Sequence, residues 1–347
     1  MARLVLVTPY AADANNGNAR TAVRWARLLR PWHRVDVCTT WDGRRGDALV
    51  ALHARRSAGS VLAWSEAMPR RPIVVVMTGT DLNADLPAGD ADAHRSVQLA
   101  DRVVVLHPRA VGALPTAARG RACVVQPSCA ARMPVAKPDD RLRVVVVGHL
   151  RDEKSPRTVF EAVRQVAVRP DIRIDLIGRA LDPELGAQAL ALAGTHPAFR
   201  WLGGLPHGTT RRRIQHAHLL WNPSRSEGAP TVVVEALRSG TPVVASAIDG
   251  HRGLLGDDWP ALHAVGDAAA AAALLLRARD DPGWSAALME QAARLADRFD
   301  PAVEQAALRA MVDRLLAAPG RPCVDPATMP AAPVAQDRAA PTPETSA

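Results

Sequence analysis

Short apolar runs separated by polar stretches mark the first 130 residues. Leu4 to Val7, Val35 to Thr39, Ala48 to Leu52, Ile73 to Met77, Val103 to Leu106 and Cys123 to Val125 are the principal ones. Runs this brief, bounded by polar residues, predict strands buried on both faces. Between them, Asn18 to Leu29 sets Val23, Trp25, Ala26 and Leu29 at helical spacing, and Ser60 to Met68 is also helical. Strand alternating with helix predicts parallel βαβ units. Residues 133–142 interrupt the pattern with Pro134, Pro138 and adjacent charges, and then it restarts. Strands are predicted at Val144 to Val147, Ile172 to Ile177, Arg200 to Leu202, His218 to Asn222 and Pro242 to Ala245. Helices are predicted at Pro156 to Val168, Pro183 to Gly194, Thr209 to His216, Pro230 to Ser239, Asp267 to Arg279 and Pro282 to Asp297. A last helix follows Phe299-Asp300-Pro301 and runs to Ala317. Beyond it the chain is rich in Pro, Ala and Thr without periodicity, which predicts a disordered tail. The division is therefore 1–137, 138–298, a terminal helix at 299–318 and a tail at 319–347.

Composition narrows this picture. A length of 347 residues fits two domains of about 150 each. No run of 18 apolar residues is present, so no membrane span is expected. The start, MARLVLVTPY, reads as a first core strand rather than a signal peptide. Cys38, Cys123, Cys129 and Cys323 show neither CxxC nor Cys/His spacing, which favours a reducing, cytoplasmic setting over a zinc site. The net charge is +8, but basic residues are spread over both halves. The densest run, Arg211-Arg212-Arg213, belongs to an amphipathic helix whose Ile214, Ala217 and Leu219 face inward. No aromatic-interleaved basic stripe appears, so polyanionic small molecules are expected as partners and nucleic acid is not.

Two segments of the second half carry candidate chemistry. In Arg143 to Val163 a strand ends at Gly148 and a helix begins near Ser155-Pro156. Arg151 and Lys154 lie between them, two cations beside a helix N-terminus, which outlines a diphosphate clamp. The chain has 43 Lys and Arg residues, yet Lys occurs only at Lys137 and Lys154. An ammonium is a compact point charge and a guanidinium is not, so Lys154 is a chemically meaningful choice. In Ser226 to Ser246, Glu227 and Glu235 stand eight residues apart, with Gly228, Ala229 and Pro230 at the expected helix start. Amides of that first turn favour anions, and Glu235 is expected about two turns in, on the face of Glu227.

The first half offers its own polar clusters at predicted strand ends. Gly17-Asn18-Ala19-Arg20 opens a helix, with Arg20 and Arg24 on one face. His53, Arg55 and Arg56 follow one strand, Thr78-Gly79-Thr80-Asp81 the next, and His107 the one after. Ligands of doubly wound sheets sit outside such carboxyl ends. Asp90-Ala91-Asp92 spells a metal-binding Asp-x-Asp, but Asp before a helix is an ordinary N-cap, and no metal is expected.

Taken in order, the segments resemble the GT-B glycosyltransferases of the family 4 type, through Gly148, Arg151, Lys154, Glu227 and Glu235. The resemblance implies an α/β fold of two Rossmann-like domains facing across a cleft. The second would hold a UDP-sugar and the first an acceptor, with the terminal helix crossing back to the first. It implies that Arg151 and Lys154 hold the diphosphate and that Glu235 accepts from ribose hydroxyls. Glu227, with the amides of Gly228 and Ala229, would face donor sugar or phosphate, and Trp201 to Leu205, including Leu202, would read the base. A narrower resemblance, through GHLRDEKSP, RWLGGLPH, SRSEGAPTVVVEAL and VMTGTDL, is to the selenosugar synthase of selenoneine biosynthesis. There Thr-Gly-Thr-Asp stands where related enzymes carry His-Gly-x-Asp.

That subgroup implies an anomeric C–Se bond made from UDP-N-acetylglucosamine or UDP-glucose and selenophosphate, with UDP and phosphate released. Gly17, Asn18, Arg20, Arg24, Arg55, Arg56, Thr78, Gly79, Thr80 and Asp81 would hold the acceptor, and His53 would join Arg151, Lys154 and Glu227 as a catalytic residue. A selenium anion is already deprotonated and needs positioning more than a base, in keeping with Thr78 in place of His. Two other readings stay open. One is a UDP-sugar glycosyltransferase acting on a hydroxyl or thiol, and the other is a nucleotide-sugar binding protein without turnover.

Overall fold

The computed structural model describes residues 1–9, 17–166 and 168–317. The tail expected at 319–347 lies outside the described residues. The first sheet contains β1 (Arg3–Val7), β2 (Arg34–Cys38), β3 (Ala48–Leu52), β4 (Ile73–Val76), β5 (Arg102–Val105) and β6 (Ala122–Val124). The second contains β7 (Leu142–Val147), β8 (Ile172–Ile177), β9 (Phe199–Trp201), β10 (Leu219–Asn222), β11 (Val243–Ser246) and β12 (Leu262–His263). Every pairing is parallel.

The strand orders are β2-β1-β3-β4-β5-β6 and β12-β11-β10-β7-β8-β9. The first reverses direction of growth between β1 and β3, the second between β7 and β10. Such reversals leave a crevice at the carboxyl edge, because the flanking loops run away from each other. The loops after β7 and β10 carry Gly148–Lys154 and Pro223–Glu227, so topology brings together the two segments that the sequence singled out.

Apolar patterning explains the layers. Along β3, Leu49 and Ala51 join one core and Ala48, Val50 and Leu52 join the other, as period-2 alternation requires. All five are buried, which is why the strand reads as a continuous apolar run. Elements not foreseen include the helix Asp249–Leu255, the short helix Thr116–Arg119, the π-helical turn Asp81–Asp85, the 3-10 turns Pro108–Val111 and Asp152–Lys154, and β12. The first carries two glycines and β12 has two residues, so neither leaves a usable period. Among the described residues no helix is long and apolar enough to cross a membrane.

The last helix, Pro301–Ala317, packs on the helix Gly17–Leu29 of the first half. Leu308, Val312 and Leu315 supply its apolar contact, and one charge anchors it. Glu304, 2% exposed, accepts from Arg24 Nε at 2.9 Å, Trp25 Nε1 at 2.7 Å and the Ser128 amide at 3.1 Å, and the Ser128 hydroxyl joins them. This corrects one expectation. Arg24 does not face an acceptor, because a carboxylate buried this deeply requires a paired cation. Removing one partner of a buried pair typically costs about 3–5 kcal/mol. Glu304→Ala is expected to lose stability of that order in urea titration, and Glu304→Gln less, since its amide oxygen can still accept from Trp25.

Candidate active site

Gly148 ends β7 and is followed by a 3-10 turn, Asp152–Lys154. Ser155 closes that turn in the left-handed region, at φ 48°, before the helix Pro156–Val166 starts. The turn folds the Lys154 side chain back over Gly148, where an added Cβ would stand 3.2 Å from Lys154 Cγ. Lys154 Nζ thereby reaches Glu227 Oε1 at 2.5 Å. The Ser224 hydroxyl lies 2.8 Å from the same oxygen and 2.6 Å from Asn222 Oδ1. Burial alone would raise the Glu227 carboxyl, but the Lys154 ammonium outweighs it and holds the group below the usual carboxylate range. A small cleft lined by Gly148, Lys154, Asn222 and Ser224 opens beside the pair, and Asn222 Nδ2 is buried without a partner. A donor left unsatisfied in a polar cleft suits an incoming oxygen acceptor.

The expected placement of the two glutamates needs correction. The helix begins at Thr231, not Pro230, and ends at Leu237. Glu227 therefore sits in the preceding loop and Glu235 one turn into the helix, so the two do not share a helix face. Glu235 is buried and bonded to His207 Nε2 at 2.7 Å, a partner that the sequence reading missed. Gly228 and Ala229 are half-buried in the loop between. Arg151 is exposed, 3.7 Å from Glu153. Leu202, half-buried after β9, stands at the far edge of the sheet.

Across the cleft, the Thr78–Asp81 loop touches this site directly. A Cβ on Gly79 would lie 2.5 Å from the Gly228 nitrogen, and a Cβ on Gly228 would lie 2.5 Å from that of Gly79. Only two glycines permit that backbone approach. Asn83 Nδ2 donates to Ser226 Oγ at 3.1 Å and to the Glu227 carbonyl at 3.2 Å. His107 lies over Gly253 and meets the Gly228 backbone, and burial lowers its pKa. Arg109 closes the rim on Asp249 at 2.7 Å and Asp257 at 3.0 Å.

The first-half candidates separate into two groups. Asp81 is fully buried. It accepts from the Thr78 amide at 2.8 Å and the Thr78 hydroxyl at 2.9 Å, and it holds His53 Nδ1 at 2.7 Å. It is thus not an acceptor contact, as expected from sequence, but the post that orients Thr78 and His53. His53 is itself buried in the left-handed region, φ 72°, a conformation that costs about 1–3 kcal/mol for a non-glycine residue. Arg55 pairs with Asp85 at 2.9 Å and lies 3.6 Å from Asp90, so its charge is largely spent. Gly17, Thr80 and Arg56 are exposed, and Asn18, Arg20, Thr78 and Gly79 half-buried.

His53, Asp81 and Asp85 form a group whose ligand atoms lie within 4.8 Å of one another, with spacing that could hold a metal ion. Arg55 on Asp85 and Thr78 on Asp81 already supply countercharge and hydrogen bonds there. Asp90 caps its helix by accepting from the Ala93 amide at 2.9 Å, the role expected for it.

His251 is the residue with the least sequence warning. It is fully buried beside the Glu227 loop, its Nδ1 is 2.7 Å from the Ser246 carbonyl, and its Nε2 has no partner. Burial lowers its pKa to about 4, against an opposing pull from Glu227.

With this geometry in view, the family can be stated. Residues 130–296 match the family described as Glycosyl transferases group 1. The match covers just under half of the chain, and the chain as a whole has the GT-B fold. HepE from Anabaena, solved in complex with UDP and glucose, superposes with a TM-score of 0.72 over 90% of this chain and 100% of that chain, at 17% identity. Sucrose-phosphate synthase from Thermosynechococcus elongatus gives a TM-score of 0.74 over 91% of this chain and 100% of that one, at 16% identity. At such identities the likeness is one of fold.

Among sequence relatives, a phosphatidyl-myo-inositol mannosyltransferase from Mycolicibacterium smegmatis is 32% identical over 49% of this chain and 44% of its own length. A D-inositol 3-phosphate glycosyltransferase from Streptomyces avermitilis is 27% identical over 76% of this chain and 65% of its own. The chain thus spans less than two thirds of the length of either relative.

The depressed His251 value has a pH consequence. Above pH 6.5 the imidazole is neutral in folded and unfolded chains alike. As pH falls from 6.5 toward the folded value of about 4, only the unfolded chain gains the proton, so stability is lost. The loss from this group totals about 3 kcal/mol, at 1.36 kcal/mol per pKa unit. His251→Asn, which retains a donor toward Ser246, is expected to flatten that part of the pH profile in urea unfolding. An equal loss in wild type and variant would assign the pH dependence elsewhere.

Proposed function

We propose that the protein is a UDP-sugar-dependent glycosyltransferase, with donor bound at the β7/β10 crevice and acceptor at the carboxyl edge of the first sheet. The carrying observation is the Lys154–Glu227 pair, set at that crevice beside the Gly79–Gly228 contact. Lys154 exchanges its carboxylate for diphosphate oxygens, and Glu227 is then released to accept from donor sugar hydroxyls. Arg151, exposed and loosely paired, adds a second cation, and the Gly228 and Ala229 amides face the donor. As the glycosidic bond breaks, charge builds on the diphosphate, and a fixed ammonium stabilises it in the transition state. Glu235, backed by His207, takes the ribose hydroxyls, and the backbone near Leu202 reads the base. The complex of HepE with UDP and glucose supports UDP as the nucleotide.

For the acceptor we favour selenophosphate. Selenium attacks the anomeric carbon as the C–O bond to UDP breaks, and UDP leaves with the electron pair. Water then cleaves the P–Se bond, giving phosphate and the free selenosugar. The Thr78–Asp81 loop supports this reading, because its one titratable group, Asp81, is buried and spent on Thr78 and His53. Arg20, half-buried, and Arg56, exposed, would meet the phosphate. The sequence relatives support a second acceptor, an inositol phosphate, for which His53 held by Asp81 would be the candidate base.

The test measures UDP release from UDP-N-acetylglucosamine and UDP-glucose, with selenophosphate, with inositol 3-phosphate, or with neither, and reads products by mass spectrometry. Selenophosphate-dependent release with a selenium isotope pattern on the sugar is the expected result. Release driven by inositol phosphate and indifferent to selenophosphate would remove the acceptor assignment and keep the enzyme class. Tight UDP-sugar binding without release under any condition would sink the transferase reading itself. Lys154→Ala is expected to lower kcat by about 10²–10³, the usual range for one electrostatic donor. A variant with unchanged kcat would end the leaving-group role.

A further inference from the structure

The amino edge of the second sheet, opposite the candidate site, holds a second concave surface that the proposed reaction does not use. The first residues of β7, β8 and β9 and the end of the helix His207–His216 enclose a pocket of about 280 Å3. Five arginines line it, Arg141, Arg143, Arg173, Arg200 and Arg213, against one carboxylate, Asp175.

The charges do not balance. Asp175 takes Arg200 through two contacts, at 2.7 and 2.6 Å, and stands 3.7 Å from Arg213. Arg141 pairs with Asp140 at 2.8 Å, outside the pocket lining. Arg143 and Arg173 form no ion pair among the described residues. They are also direct neighbours in register on β7 and β8. Like charges directly opposite on paired strands destabilise a sheet, and an uncharged polar residue would serve that half-buried position as well. Nearby, His218 is held below the ordinary imidazole range, by burial first and then by Lys137 and Arg143. The local field is thus positive from several elements at once.

A concave surface with two adjacent guanidinium forks that form no ion pair is suited to phosphate oxygens, which each fork can bind two at a time. The pocket is smaller than most whole-ligand sites, which span about 300–1,000 Å3. It is large enough for linked phosphate groups. β7 is six residues long, so its two ends are roughly 17 Å apart at about 3.3 Å per residue. One small anion cannot bridge this pocket and Lys154. We propose that the Arg143–Arg173 pocket is a second anion site, binding a small molecule with two or more phosphate groups independently of the donor cleft.

The probe is inorganic tripolyphosphate, titrated calorimetrically into the full chain carrying Lys154→Ala, so that the donor cleft contributes least. One equivalent is expected to bind, with affinity falling as salt rises. Adding Arg143→Ala and Arg173→Ala together is expected to weaken Kd at least tenfold. The unliganded Tm is expected to hold or rise, because a like-charge repulsion has been removed. Arg173→Gln alone serves if the combined variant is insoluble. Unchanged affinity, or no heat in the parent, would overturn the proposal. So would a marked fall in Tm, which would give these arginines a structural role. Preferential binding of a single-stranded oligonucleotide over tripolyphosphate would overturn the small-anion assignment.

Discussion

The approach of two backbones, Gly79 from the first half and Gly228 from the second, sets the geometry on which the site depends. A Cβ on either would collide with the other's nitrogen at 2.5 Å, so any side chain here would wedge the two carboxyl edges apart. With both glycines in place, Asn83 reaches Ser226 and the Glu227 carbonyl, His107 lies over Gly253, and Arg109 spans to Asp249 and Asp257. Glu304 fixes the other end of the molecule by tying the last helix to Arg24, Trp25 and Ser128. The two halves therefore meet at the cleft through this glycine contact and its flanking side chains, while Glu304 holds the last helix on the first half behind it.

Within that frame the Lys154–Glu227 pair stands at the crevice where we propose the donor binds. A buried ion pair gains little net stability over an apolar pair, because desolvation offsets attraction. Here it keeps both groups ionised in a site where each alone would neutralise or demand a partner. In the proposed reaction a diphosphate would replace the carboxylate at Lys154 without changing the charge state of either group. Asn222 Nδ2 and His251 Nε2, both buried and without a hydrogen-bond partner among the described residues, lie on the elements that frame the pair.

The two edges of the second sheet divide the positive charge of the chain in an informative way. At the carboxyl edge, Lys154, Arg151 and Arg225 each have a carboxylate within 4 Å. At the amino edge, arginines crowd a pocket with one carboxylate. In the first half, arginines that sequence spacing placed on an acceptor are partly consumed: Arg24 by Glu304 and Arg55 by Asp85. Net charge therefore says little about where an anion binds, and local pairing says much more.

The sequence by itself determined every strand but β12 and most of the longer helices, because each of those apolar runs is long enough to register a period of two or 3.6. It also determined that Gly148, Lys154 and Glu227 would lie at strand ends, since that follows from order along the chain. It did not determine which strands are neighbours, and so the meeting of the β7 and β10 loops at one crevice was decided by topology. Nor could it assign partners. Asp81 looked like an exposed loop acid and is a buried post for Thr78 and His53, and Glu235 looked solitary and is bonded to His207. His251 and Glu304 carried no signal at all, because a single polar residue in a helix has no periodicity. Burial and partnership are relations between distant segments, and only the packed chain fixes them.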